Sequence, residues 1–573
     1  MMLTIIEWLE TIFPSTSIRY YVISLAALGV AFALVRARRL LAACVLGFKW
    51  FFLRYFVYLV IIPRRYWSSV SMLQALVFVV FLAVNGFCIG YDHRNDLSVV
   101  ASRCAILSVI NMVPLFMAGR SNTIVSVLSL PLHVHHLVHH WLGRISIVEA
   151  FLHIIFVYTS GTERKQIPSG ATIAATLGGL LVFSFVPFRK YKFEVFLKVH
   201  YLLAAVSLGG LLWHVIGVDP TKVIFPILLA SLWLFGFVPY LYSWRIRSRD
   251  VQITKFYRER TIGQHTYREI DVVRVDIELM HLVTIKPGQF VYLRVRGRDF
   301  HLSDKFQTHP FMITWWDPKE STPRLQGVSG SKGPSITILI QPANGLTRRI
   351  SNTEFLQSVS FEGPRGQSLP LEEYENVALV AKGIGLAGIL SYAKHIIDLK
   401  YDPKRKSKVL TRKLDLYWEL DDNSQEDWGG PLLKDLQSRN KSLSASILQI
   451  WCYLPHEQTS PPVLNLDSYE TAFLYFYPNS SYYISVEDGI SNVAANSAGR
   501  KIVVACGTSS FVDDVRTITR KAMFPSGSIE FVESDYRLSG ETTPRENAKE
   551  TLAVAEKSRA KSMKISKPRV AFA

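Results

Sequence analysis

Cysteine is scarce in this 573-residue chain, which has five: Cys44, Cys88, Cys104, Cys452 and Cys506. Scattered as they are, with no CxxC pair and no Cys/His zinc spacing, they exclude a disulfide framework and a zinc-finger-like site. The first three lie in or beside apolar runs and read as buried thiols. Charge is also sparse, at 19% of residues, and acidic charge is scarcest in the first 249 residues, where 8 Asp and Glu face 22 Lys and Arg. The N-terminus lacks a basic leader and holds Glu7 and Glu10 instead. No cleaved signal peptide is expected, and the first apolar run should stay as a helix. Apolar and aromatic residues are abundant: 49% hydrophobic, with 33 Phe, 25 Tyr and 12 Trp. Despite a net charge of +18, this composition excludes a disordered, nucleic-acid-coating protein.

Crossing about 30 Å of hydrocarbon takes about 20 apolar residues in a helix. Seven runs approach or meet that length: 18–35, 72–90, 104–118, 134–160, 171–188, 196–217 and 223–244. An eighth, 44–62, is interrupted by Lys49 and Arg54 and is expected to lie along the membrane surface as an aromatic, basic interfacial segment. With seven spans, the loops holding RARR and PRR (36–71), FRKYK (187–195) and SWRIRSR (243–249) fall on one side. Lys and Arg collect in cytosolic loops, so that side, and the large C-terminal part with it, is expected to face the cytosol. The chain reads as a multi-pass protein of the plasma membrane or the endoplasmic reticulum, with no retention or prenylation signal at its VAFA end.

Ionisable side chains inside spans are costly and mark functional sites by default. His139 and His153 lie on the fourth run, His200 and His214 on the sixth, and each pair is 14 residues apart. Fourteen steps of 100° fall about 40° short of four turns and rise about 21 Å, so each pair shares a helix face. The two helices run in the same direction. They can clamp two haems one above the other, His139 opposite His200 on the cytosolic side and His153 opposite His214 on the far side, because neutral imidazole is a common axial ligand of haem iron. Competing residues surround the first site: His133, His135, His136 and His140. His140 is 13 residues from His153, which leaves their rings about 140° apart. A direct transition-metal site in this cluster is the alternative.

Beyond Arg249 the pattern changes to short β-branched alternations, VQITKFYR, DVVRVDIEL, GQFVYLRVRG and SITILIQP, as in an antiparallel barrel of about 120 residues. Within it lies QTHPFMIT, 307–314; by itself HPF could be no more than a proline turn at a strand end. After Tyr374 an apolar strand, NVALVAK, precedes GIGLAGILSYAKHI. Gly383, Gly385 and Gly388 thus form GxGxxG at a strand-to-helix turn, where missing Cβ atoms let backbone N–H groups approach a pyrophosphate. A later strand ends in Ala505-Cys506-Gly507, at the carboxyl edge where an open α/β sheet receives a nucleotide; a buried structural thiol is the alternative for Cys506.

Taken in order, the 14-spaced histidine pairs with HHWLGR, HPF, the glycine-rich turn and ACG resemble the fungal ferric reductase and NADPH oxidase superfamily over 72–532. Within it they are most similar to a short yeast group of metalloreductases of the altered inheritance of mitochondria type. The resemblance implies a polytopic α-helical membrane domain of about seven spans around two haems. A ferredoxin-reductase-like module would follow, an antiparallel β-barrel FAD domain plus an α/β nucleotide-binding domain. The expected division is an N-terminal span and basic segment (1–71), a haem domain (72–244), a flavin barrel (250–370), an NADPH domain (371–540) and a basic tail (541–573). The resemblance further implies that NADPH gives a hydride to FAD, whose electrons pass singly through two b-type haems to an acceptor across the membrane.

Residue by residue, the resemblance places haem ligation on His139, His153, His200 and His214 and FAD contacts on His309, Pro310, Phe311, Ile313 and Thr314. It places nicotinamide-nucleotide contacts on Gly383, Gly385, Cys506 and Gly507. Gly363–Gly366 resembles the loop between the flavin and nucleotide domains, with Arg365 where an aromatic is common. The chain departs from the pattern at Lys382, where a glycine is usual, at Ala387-Gly388 in place of Thr-Pro, at Thr508 in place of Pro, and at Met312 in place of a hydroxyl residue. The outward loops hold no Cys, Met or His cluster, so no specific metal-binding pocket is visible; the resemblance implies a chelated ferric or cupric ion, reduced at an exposed haem edge, as the acceptor. Rival readings are O2 reduced to superoxide, and a degenerate membrane scaffold or ion carrier without redox turnover. The tail from Glu541 reads as solvated, with weak attachment to anionic lipid as its functional alternative.

Overall fold

The computed structural model describes residues 46–534 and a few positions between 17 and 28, with gaps at 63–68, 93–95, 118–131, 162–166, 186–192, 243–247, 263–264, 281–282, 297–308, 318–333, 344, 355, 357, 444, 456–472, 477–484, 497 and 524–527. The expected span 18–35, Cys44, the basic clusters at 36–39, 63–65 and 188–192, and the tail lie wholly or largely outside the described residues.

The chain enters through a short helix, α1 (Leu46–Phe52), which continues as a π turn over Leu53–Val57. Two small strands follow, β1 (Val60–Ile62) paired antiparallel with β2 (Val70–Ser71). Ser71 then starts α2 (Met72–Gly90) with a capping box: its hydroxyl accepts from Gln74 N while Gln74 Oε1 accepts from Ser71 N. This satisfies two orphan donors at the helix N-terminus. Further apolar helices are α3 (Leu97–Met117), α4 (Leu132–Thr159), α5 (Ile167–Phe183), α6 (Phe193–Val218) and α7 (Ile224–Tyr242). Asp96 accepts from Ser98 N and Val99 N to start α3, and Asp219 accepts from Thr221 N just before α7.

Six of the seven expected runs therefore fold as helices. Four are long and apolar enough to cross a membrane, Met72–Gly90, Leu97–Met117, Val134–Thr159 and Val195–Val218, while the apolar stretches Pro168–Phe183 and Pro220–Gly236 are shorter. α3 lies along α4, α5 lies along α6 and also touches α4, and α7 packs on α3. Leu76, Val77, Val79 and Val80 of α2 point outward, as side chains facing lipid do.

At Ser248 the apolar period shortens to two. Strands β3 (Ser248–Ile262), β4 (His265–Leu279), β5 (Phe290–Arg296), β6 (His309–Met312), β7 (Trp315–Asp317), β8 (Ser335–Ile340) and β9 (Ser358–Arg365) form two antiparallel sheets, ordered β3-β4-β8-β7 and β6-β5-β9. Alternate residues Val273, Val275 and Ile277 of β4, Val291, Leu293 and Val295 of β5 and Ile336, Ile338 and Ile340 of β8 fill the space between them. Helix α8 (Leu346–Asn352) adds Leu346 and Ile350 to this core.

The last unit is a six-stranded parallel sheet in the order β13-β12-β11-β10-β14-β15. It comprises β10 (Asn376–Lys382), α9 (Leu386–Tyr401), β11 (Lys413–Glu419), α10 (Glu426–Lys441), β12 (Leu448–Tyr453), β13 (Phe473–Phe476), α11 (Val486–Asn496), β14 (Lys501–Cys506), α12 (Ser509–Ala522) and β15 (Ile529–Glu533). Helices cover both faces, so β10 and β14 are apolar nearly throughout rather than alternating. Strand order turns back between β10 and β14, which makes their carboxyl ends the topological switch point.

Helix α9 also joins this sheet to the barrel. Gly288 N donates to Ser391 Oγ at 3.1 Å. Lys394, almost fully buried, lies 5.3 Å and 5.1 Å from the ring centres of Trp315 and Trp316 and pairs with Asp398 and Asp317. Gly288 has φ +75°, and a Cβ there would fall 1.8 Å from Tyr392 Oη. The left-handed backbone alone costs a larger residue about 1–3 kcal/mol. Gly288→Ala is therefore expected to lower the thermal unfolding midpoint of the purified chain by several degrees; an unchanged midpoint would contradict this account of the junction.

Candidate functional site

Three sets of residues singled out in the sequence take up distinct places. In the helical domain, His139 of α4 and His200 of α6 face each other with ring centres 6.1 Å apart. Two metal–nitrogen bonds of about 2 Å plus the half-widths of two five-membered rings give about the same separation, so one metal ion fits between them. The Nδ1 atoms of both rings are buried without a hydrogen-bond partner among the described residues, which is unusual for polar atoms in a packed interior. His135 and His140 each stand 6.2 Å from His139. Among the described residues no group of three or more His, Cys, Asp or Glu is arranged to hold a metal ion.

The other two histidines are oriented through Nδ1. His153 Nδ1 lies 2.8 Å from the carbonyl oxygen of Ala101 on α3. A carbonyl only accepts, so Nδ1 carries the proton and Nε2 keeps its lone pair, the tautomer a metal-binding histidine needs. His214 Nδ1 lies 3.1 Å from Ser169 Oγ at the start of α5, where a Cβ added to Gly170 would touch the imidazole at 3.7 Å. Helices α3 and α5 thus hold the rings of His153 and His214 respectively.

A polar network between α2, α3 and α4 escaped the sequence reading. Asn111 Nδ2 is within hydrogen-bond distance of Glu149 Oε1 (3.1 Å), Glu149 Oε2 (2.9 Å) and Asn85 Oδ1 (3.0 Å), and Tyr21 Oη donates to Asn111 Oδ1. Arg103, also buried, donates to the carbonyls of Cys88, Ile89 and Tyr91. The sequence carries a signal for it in Glu149 and Arg103, since an ionisable residue in an apolar helix is a functional candidate whatever its type. Cys88 and Cys104 are buried here, as their surroundings suggested.

In the barrel, β6 pairs with β5 so that Pro310 stands opposite Tyr292 and His309 opposite Leu293. Phe311 and Ile313 point into the barrel core, whereas Met312 joins Phe290 and Tyr292 in a separate cluster. Of the expected flavin contacts, Phe311 and Ile313 have their side chains in the barrel core, and His309 and Pro310 stay partly or largely open. Thr314 is fully buried, and its Oγ1 has no hydrogen-bond partner among the described residues. An orphaned hydroxyl beside an open strand edge fits a site that receives a polar ligand atom.

In the α/β unit the two nucleotide motifs converge. Gly383–Gly385 follows β10 as a tight turn, and Cys506-Gly507 follows the neighbouring strand β14. A Cβ on Gly385 would lie 2.3 Å from the carbonyl oxygen of Cys506 and 2.9 Å from Gly507 Cα, so the motifs touch only because Gly385 has no side chain. No side chain caps the N-terminus of α9 or of α12. Both N-termini lie at the switch point, where helix N-termini favour anions, although at α9 Leu386 N already donates back to Gly383 O. Lys382 Nζ pairs with Glu419 at the end of β11 and lies 5.8 Å from the ring centre of Phe511; it adds a cation at the crevice where the family pattern has glycine. Burial pushes the Cys506 thiol well above its ordinary range, only partly offset by a hydrogen bond with Ser534. It remains a thiol at neutral pH and is not a ready nucleophile.

The flavin and nucleotide candidates meet at α9. Its N-terminal end carries the glycine turn, while Ser391 and Lys394 along its length hold Gly288 and the Trp315–Asp317 strand, which flank Phe290 and Thr314.

Residues 104–211 match the ferric reductase like transmembrane component family and residues 374–520 the ferric reductase NAD binding domain family. Ferric reductase transmembrane component 4 of Saccharomyces cerevisiae is 24% identical over 82% of this chain and 68% of its own length. Ferric/cupric reductase transmembrane component 2 of the same yeast is 25% identical over 58% of this chain and 46% of its own length, so the match spans less than half of that relative. A flavohemoglobin crystal structure from Malassezia yamatoensis, with bound FAD and haem, is 15% identical, covers 77% of this chain and 97% of that one, and gives a TM-score of 0.34.

Proposed function

We propose that this chain, a homologue of the yeast ferric reductase transmembrane components that carries both the transmembrane and the NAD-binding domains of the ferric reductase family, moves electrons from cytosolic NADPH across a membrane to a ferric or cupric ion. The observation that carries the reading is the His139–His200 pair, two imidazoles on separate apolar helices at a one-metal separation. A bound flavin would turn the two-electron hydride of a nicotinamide into single electrons, which haem iron can accept and pass on.

The protein's own groups have separate tasks. His139 and His200 would hold the iron of an inner haem, and His153 and His214 that of an outer one, with Ala101 O and Ser169 Oγ fixing the rings of His153 and His214. His309, Pro310, Phe311, Ile313 and Thr314 line the flavin edge of the barrel, Phe311 and Ile313 anchoring it in the barrel core, and Met312 offers that edge no hydroxyl. Gly383, Gly385 and Gly507 let the backbone close on the nucleotide's pyrophosphate, the uncapped N-termini of α9 and α12 and the Lys382 ammonium complement its charge, and Cys506 packs beneath. Helix α9 keeps the nucleotide crevice and the flavin edge in register through Ser391 and Lys394. The domain limits follow: haems in 72–244, flavin in 250–370, nucleotide in 371–540. The excess of Lys and Arg in the first 249 residues, 22 against 8 acids, supports a cytosolic reductase module in a multi-pass protein of the plasma membrane or endoplasmic reticulum.

The test is ferric-chelate reduction by reconstituted protein supplied with FAD, haem and NADPH, run with and without superoxide dismutase. Reduction that persists with the dismutase is the expected result. Complete suppression would make O2 the acceptor and overturn direct metal reduction.

A further inference from the structure

The apolar stretch 44–62 reads from sequence as a segment lying on the membrane. The described part of it has two faces, and one of them is not turned to lipid. Tyr58 is buried: its hydroxyl accepts from Phe531 N at 2.8 Å and donates to Phe531 O at 3.2 Å, and its ring meets that of Phe531 edge-on at 5.8 Å. Phe531 sits on β15, the edge strand of the parallel sheet, so Tyr58 closes a backbone donor and acceptor that an edge strand otherwise leaves open. Trp50, Leu53 and Val57 pack on the same side, and Lys49 Nζ pairs with Glu530 Oε1 at 2.6 Å.

The opposite face is apolar and exposed: Phe48 60%, Phe51 52% and Tyr55 43%, followed by Ile61 47% and Ile62 46%. Aromatic rings meet along the segment, Phe52 stacked on Phe56 at 5.2 Å and Phe51 tilted against Tyr55 at 4.9 Å. The position of this face is fixed by the chain. Met72 N, the first residue of the span α2, donates to Leu59 O at 2.9 Å, and Val60 pairs with Ser71, the residue that caps that span. One residue therefore separates the grip on β15, at Tyr58, from the foot of a membrane-crossing helix. An aromatic face held at a span's foot lies at the depth where Trp, Tyr and Phe of interfacial segments settle.

We infer that residues 46–62 form a strap between bilayer and nucleotide domain: Phe48, Phe51, Tyr55, Ile61 and Ile62 are seated in the lipid interface, while Lys49, Leu53, Val57 and Tyr58 hold β15. The occupant of the outer face is the bilayer that α2 enters. Through β15 and β14 the strap reaches β10, two strands from the edge, and so limits how far the nucleotide crevice moves from the membrane.

The full-length chain in lipid nanodiscs tests both faces. With the photoreactive p-benzoylphenylalanine in place of Phe51, irradiation is expected to give lipid adducts; in place of Leu53, it is expected to give crosslinks to the peptide containing residues 529–533. Adducts from position 51 to this chain or to a second copy, no adduct at all from position 51, or lipid adducts from position 53 would overturn the two-faced strap. Tyr58→Phe keeps the ring and removes only the hydroxyl, so it leaves the packing in place. Hydrogen exchange at the Phe531 amide is expected to quicken by at least about tenfold, the equivalent of one lost hydrogen bond; unchanged exchange would overturn the grip on the edge strand.

Discussion

His200→Ala is expected to leave the purified chain with one haem instead of two and to abolish NADPH-driven metal reduction. The side chain that remains opposite, His139, would face an alanine across a gap that two imidazoles now span with ring centres 6.1 Å apart. Loss of groups that merely orient a metal ligand already weakens binding about 10–100-fold, so loss of the ligand itself costs more. The far pair is held independently by Ala101 O and Ser169 Oγ and should keep its haem. His140→Ala provides the contrast: His140 neighbours His139 at 6.2 Å but stands about 140° from His153 around an ideal helix, and both haems should stay. Two haems in His200→Ala, or one in His140→Ala, would reassign the ligands.

The second large effect is expected from Gly385→Ala. The new methyl would fall 2.3 Å from the Cys506 carbonyl oxygen and 2.7 Å from its carbon. These are backbone atoms, which cannot rotate away, so the turns after β10 and β14 must separate. A displacement of about 1 Å in a positioned reactant costs about a hundredfold in rate. NADPH-dependent flavin reduction should fall by that order, while haem content and the dithionite-reduced spectrum stay unchanged. A kcat/KM for NADPH within about twofold of the native value would show that the glycine contact does not shape the crevice.

How much of this was legible in the sequence depends on whether the signal was local. The histidine pairs are legible because helix geometry turns a 14-residue spacing into a shared face, and the structure sets His139 against His200. The glycine turn is legible because strand, turn and helix are contiguous at Asn376–Tyr401; its contact with Cys506, more than a hundred residues on, needed the β10–β14 pairing. Hydrophobicity states that a side chain leaves water but not what it meets. Trp50, Leu53 and Tyr58 look like lipid-facing residues in sequence, yet Tyr58 packs on Phe531 of β15 and the other two pack on the core cluster those residues share. Phe311 and Ile313 stand in a flavin-like motif and fill the barrel core. Glu149 is legible as one ionisable residue within an apolar helix, but its partners Asn85 and Asn111 come from two other helices, and no local pattern joins them.

The central claim is that two histidine pairs carry electrons through this protein on two haems. The most direct measurement is the haem stoichiometry of the purified full-length chain, by pyridine haemochrome together with a dithionite-reduced minus oxidised spectrum. The account predicts two b-type haems per chain, both reducible. A purified, folded chain with no b-type signal would contradict it.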